Sequence, residues 1–273
     1  MAVSLSLSAC AQPAPRLLVR ADDMGSSHTA NVACIQAVAA GIARSIEVMV
    51  PGPWYPEAVQ MLAAHPGIDV GVHLVLTSEW SGVKWGPLTT APSLVDDRGY
   101  FHPFIWPNEQ LAGHTFLLDQ PYKLEEIEQE WRAQIERAMR DIPGVTHLSG
   151  HMGCTHISPE ATALAQRLAD AYGLKLDGEA LGLERGPTTG NHRGDPAAKQ
   201  QALAASLHTL ARGHTYLLVT HPGLDSEELR ATGHKGYEDV AIDRAGDTQV
   251  LTDAAIGALI DSLGIELISY QDL

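Results

Sequence analysis

The chain has 273 residues, 45% of them apolar and 19% charged, and its formal charge is −15. That length allows one large α/β domain with a sizeable core, and no apolar run approaches the length of a membrane span. An acidic balance of this size repels nucleic acid phosphates and anionic lipid, which leaves a neutral ligand as the favoured partner.

The first 15 residues, MAVSLSLSACAQPAP, are small and apolar and then Pro-rich. LSAC resembles the lipobox of a bacterial lipoprotein signal, with Cys10 as the candidate lipid anchor. The basic leader and long apolar stretch of such a signal are missing. Two locations therefore stay open: a periplasmic or outer-membrane lipoprotein if Cys10 is lipidated, and a cytoplasmic protein otherwise. Cys10, Cys34 and Cys154 are odd in number and widely spaced, which excludes a disulfide framework or a Cys-based zinc site.

Residues 16–273 read as a single domain in which short apolar runs alternate with longer helical segments. Strands are predicted at 16–21, 45–50, 69–74, 145–150, 174–178, 215–220 and 265–269. SSHTANVACIQAVAAG, between the first two, opens on Ser caps, carries Val32, Ile35 and Val38 near helical spacing, and stops at Gly41. LEEIEQEWRAQIERAMR (124–140) is amphipathic, with Ile127, Trp131, Ile135 and Ala138 on one face. Segments 158–173 and 253–264 are helices of the same kind. Alternation of this sort predicts parallel βαβ units and hence a (β/α) barrel, seven-stranded or irregular. Two long irregular segments, 77–122 and 179–196, interrupt it.

In a parallel barrel the reactive groups sit where strands end and βα loops begin. RLLVRADDMG closes the first strand on Asp22 and Asp23. His73 closes the third, His151 the fourth, Asp177 and Glu179 the fifth, and His221, before Pro222 and Gly223, the sixth. The second closes on VPGPWY and offers no ionisable group. Taken singly, each has a structural explanation: a turn, a helix cap or a satisfied core histidine. Together, one Asp and two His form a facial ligand set for a divalent ion, with open positions for water and substrate. A dication would also make a buried carboxylate tolerable. Neighbouring residues of a regular strand face opposite ways, so the strand is expected to break at Asp22–Asp23, with one carboxylate on the ion and the other free as a base. His221 suits a general acid. Arg244, in AIDRAGD, is a cation that could hold a carboxylate base or meet the substrate, with a surface ion pair as the plainer reading. Trp54, Trp80, Trp85 and Trp106 fall in βα loops. The first three are candidates for stacking on a sugar ring, with loop anchoring as the equal alternative.

ADDMG, GVHL, HLSGHMG and HPG, in this order and at strand ends, resemble the YdjC-like carbohydrate deacetylase family, an architectural relative of the NodB-type polysaccharide deacetylases. The resemblance runs from about Leu17 to the C-terminus. It implies a barrel hydrolase that removes acetyl groups from N-acetylated mono- or oligosaccharides with one divalent metal ion, Zn2+ or Mg2+. By position, it implies Asp23, His73 and His151 as ligands, Asp22 as base and His221 as acid. The sequence departs from the family pattern at Ser149 and Gly153, where an Asp and a His are common. Two alternatives are a metal-independent glycosidase using Asp22, and a non-catalytic carbohydrate-binding lipoprotein. A homo-oligomer is compatible with either.

Overall fold

A computed structural model describes residues 12–273; Cys10 and its lipid-anchor expectation lie outside them. The elements in chain order are β1 (Arg16–Met24), α1 (His28–Ala39), β2 (Ser45–Val48), α2 (Tyr55–Ala64), β3 (Asp69–Leu74), α3 (Leu124–Asp141), β4 (Val145–Gly150), α4 (Pro159–Tyr172), β5 (Lys175–Leu176), β6 (Leu183–Arg185), α5 (Pro196–Leu207), β7 (Thr215–Thr220), α6 (Glu227–Arg230), α7 (Val240–Leu251), α8 (Ala254–Leu263) and β8 (Glu266–Ile268). All strand pairs are parallel, in the order β5-β4-β3-β2-β1-β7-β6. β8 pairs with the start of β1, through Arg16, Leu17 and Leu18. The sheet curls into a half-barrel whose main path ends at β5 and β6. Both are very short, which limits the unpaired backbone left at the seam.

All seven expected strands form. An eighth, β6, falls inside the segment 179–196 expected to be irregular, where three residues flanked by glycines are too few to show a period. The helix caps follow from sequence. Ser27 Oγ accepts from Ala30 N–H and Ser158 Oγ from Ala161 N–H. α4 and α8 end on left-handed Gly173 and Gly264, the conformation glycine adopts without steric cost. On α3 the predicted face of Ile127, Trp131, Ile135 and Ala138 is buried. β1 is buried from Leu17 to Met24, as expected of a central strand covered on both faces.

The long segment 77–122 packs inward through Trp85, Leu94, Phe101, Ile105 and Leu117. Residues 12–15, expected as part of a tail, join the fold: Pro13 O accepts from Gly213 N–H and Pro15 O from Glu266 N–H. Among the described residues, no helix is long and apolar enough to cross a membrane.

Candidate metal centre

Asp23, His73 and His151, from the C-terminal ends of β1, β3 and β4, each present a ligand atom within 4.8 Å of the other two. β1 does not stop at the Asp pair. It runs on to Met24 with a register irregularity after Ala21, and Asp23 takes φ 71°, a left-handed conformation that a non-glycine residue adopts only when its surroundings impose it. The expected break is thus a bulge within the strand. It turns both carboxylates the same way: His73 Nε2 lies 3.8 Å from Asp22 Oδ2 and 3.5 Å from Asp23 Oδ1.

His73 and His151 present opposite nitrogens. His73 offers Nε2, its Nδ1 being 2.7 Å from Ser149 Oγ. His151 offers Nδ1, 3.1 Å from Asp23 Oδ1, while its Nε2 lies 3.1 Å from Glu79 Oε2. Each imidazole therefore has its outer nitrogen engaged and its inner one free to ligate, the usual arrangement of metal-binding histidines. Asp23 Oδ1 is buried and has no well-aligned hydrogen bond, only the 3.1 Å approach of His151 Nδ1, a costly condition in an apolar interior that a cation would relieve. Carboxylate plus two imidazoles is a donor set suited to a divalent ion. These residues fit a metal.

The electrostatics follow from burial and neighbours. Burial pushes the Asp23 carboxyl up, but Arg244, His151 and His221 together hold it well below the usual carboxylate range. Burial, and then the nearby His151, push His73 down to about 3, so it is neutral. Burial also works against charge on His151, yet Glu79 and Asp23 raise it to about 10. A metal would displace that proton and take over its role against the two carboxylates.

Asp22 is clasped by Arg20, whose Nε donates to Oδ1 at 2.7 Å and Nη2 to Oδ2 at 2.9 Å. Arg20 Nη1 also donates to Asp177 Oδ2 at 2.6 Å and to Tyr270 Oη at 3.2 Å. His221 follows β7; its backbone N–H donates to Asp247 Oδ2 at 3.3 Å. Asp247 is fixed in turn by buried Lys199, whose Nζ lies 2.7 Å from Oδ1.

Three expectations need correction. Arg244 holds Asp23, not the base, with Nη2 donating to Oδ2 at 2.7 Å. It is buried beneath Trp80, its guanidinium 4.9 Å from the ring centroid. Trp80 is itself covered by His234 and Tyr237. Trp85 is buried, with its indole N–H donating to Thr77 O at 2.8 Å. Both are loop anchors with no face for a sugar. Trp54 and Trp106 remain 40% and 48% exposed.

Sequence reading missed Arg20, Glu47, Glu79, Ser149 and Asp247. Arg20 carried a usable signal, because residues two apart in a strand share a face and Arg20 precedes Asp22 by two. Glu79 carried none; it reaches His151 from a loop. A cavity of about 990 Å3 lies in the seam, lined by His156, Gln166, Leu176, Asp177, Arg185 and Leu217 among others.

The profile of the YdjC-like protein family matches residues 16–262. The chain belongs to the YdjC-like family. It is 28% identical over 267 residues to carbohydrate deacetylase 2 of Listeria innocua, with 94% of this chain and 98% of that protein aligned. Chitooligosaccharide deacetylase of Serratia marcescens is 29% identical, with 94% and 98% aligned. Carbohydrate deacetylase of Thermus thermophilus is 38% identical, across 58% of this chain and about half (51%) of its own length. A protein from Enterococcus faecalis described as a putative cellobiose-phosphate cleavage protein shares the fold, with TM-score 0.76, 22% identity and 95% and 98% of the two chains covered.

Proposed function

We propose that the chain is a metal-dependent carbohydrate deacetylase that hydrolyses the acetamide of an N-acetylated mono- or oligosaccharide. The observation that carries this reading is the convergence of Asp23 Oδ1, His73 Nε2 and His151 Nδ1 beside a fourth group, Asp22, that is not needed as a ligand. The relatives named carbohydrate and chitooligosaccharide deacetylase support the substrate class.

Asp23, His73 and His151 would hold the divalent ion. When bound, such an ion supplies Lewis acidity that brings a water toward ionisation at neutral pH and polarises a carbonyl. The chain's own groups do the rest. Asp22, oriented by Arg20, accepts the proton of the water that attacks the acetyl carbon. His221 donates a proton to the sugar nitrogen as the C–N bond breaks, giving acetate and a free amine. Trp54, exposed beside α2, offers a flat surface for the sugar ring.

The glycosidase alternative needs a carboxylic acid that keeps its proton. Arg244 holds Asp23 ionised, so Asp23 does not suit that role, and both oxygens of Asp22 are engaged by Arg20. The test is acetate release from a panel of N-acetyl and O-acetyl glycans after metal depletion and again after adding Zn2+ or Mg2+. Activity lost on depletion and regained with an ion is the expected result. Full turnover by the metal-depleted protein would refute the reading.

A further inference from the structure

We infer that Glu47, acting through Ser149, is a positioning residue that fixes the tautomer of His73. The inference rests on His73 being a metal ligand.

Glu47 lies in β2, the strand whose end offers no ionisable group, and it points into the barrel with no exposed surface. One oxygen, Oε2, accepts a very short hydrogen bond from Ser149 Oγ. The other, Oε1, lies 2.5 Å from His147 Nε2. Arg20 Nε stands 3.9 Å from Oε1. The backbone makes room for this pair at Gly71, where a Cβ would collide with His147 Nε2 and lie 2.5 Å from Glu47 Oε2. Burial opposes the charge on Glu47, but His147 and Arg20 overcome it and hold the carboxyl below its ordinary range.

The consequence is a matter of counting protons. An ionised carboxylate can only accept, and a serine hydroxyl has one hydrogen to give. Ser149 gives it to Glu47. Its oxygen can then only accept from His73 Nδ1, 2.7 Å away. Nδ1 must carry the hydrogen, which leaves the Nε2 lone pair facing Asp23 and the ligand position. A carboxamide in place of Glu47 removes the constraint, because an amide NH2 can donate to Ser149 and release the hydroxyl hydrogen toward His73 Nδ1. That arrangement favours hydrogen on Nε2, the nitrogen needed by the ion.

The experiment has two arms. Nitrogen-15 NMR of the metal-depleted wild-type protein should show His73 with hydrogen on Nδ1 alone, and Glu47→Gln should lose that single form. Competition against a chelator, with Zn2+ as the probe, should show Glu47→Gln binding the ion about 10- to 100-fold more weakly. A wild-type His73 carrying its hydrogen on Nε2 would overturn the inference without any variant. So would Zn2+ affinity in Glu47→Gln within twofold of wild type. If the wild-type chain bound no Zn2+ at all, the metal reading would fail and take this one with it, so the two failures are told apart by the wild-type titration.

Discussion

Arg20→Met is the sharpest probe of the site. Arg20 is 5% exposed and its main partner Asp22 is 2% exposed. The pair is joined by two charge-assisted hydrogen bonds of 2.7 and 2.9 Å, and Arg20 reaches Asp177 with a third of 2.6 Å. Removing the guanidinium strands a buried carboxylate, which costs about 3–5 kcal/mol when one partner of a buried pair is lost. In a chain of this size that is a fall in Tm on the order of 10 °C. The double variant Arg20→Met/Asp22→Asn removes both charges, so its cost should be below the sum of the single costs by about 1–3 kcal/mol. Denaturant unfolding of the four proteins, metal-depleted and at one pH, closes the cycle. Costs that simply add, or a single-variant cost under about 1 kcal/mol, would show that Arg20 does not hold Asp22 as the geometry implies.

Asp22→Asn and His221→Ala should each lower kcat by about 100-fold or more while the bound metal, measured by elemental analysis, stays at the wild-type level. Gly71→Ala should destabilise the fold by about 1–3 kcal/mol, because its methyl would press on Glu47 and His147; the denaturation midpoint reads this directly. The Glu47 carboxyl is held below its ordinary range in the folded chain. Its contribution to stability is therefore complete above that range and lost as pH falls through the lowered value. The stability gap between wild type and Glu47→Gln should narrow between pH 7 and pH 3, as followed by Tm.

Much of this architecture could be read from residue order because a parallel sheet converts strand ends into neighbours. Asp23, His73 and His151 announced themselves by closing strands, and the half-barrel delivers them to one point. The groups that orient them were harder to find. Glu47 sits in mid-strand, where a lone acid among Ile46 and Val48 carries no positional signal. Glu79 comes from a loop whose path depends on Trp85 and its neighbours packing inward. Arg244 was noticed, but helix periodicity could not say which carboxylate it would meet. Sequence left the tryptophans open because aromatic character is shared by ligand platforms and loop anchors, and only burial separates buried Trp80 and Trp85 from exposed Trp54.

Tyr270 ties this local chemistry to the far end of the chain. Its hydroxyl donates to Asp177 Oδ1 at 2.8 Å and accepts from Arg20, and its ring lies 3.5 Å from that of His147. Its backbone N–H reaches Asp69 Oδ2 at 2.9 Å. The bond from Arg20 to Tyr270 spans 250 positions of sequence. Tyr270 thus helps seat the guanidinium that pairs with Asp22, and residues far apart in the chain share one supporting network.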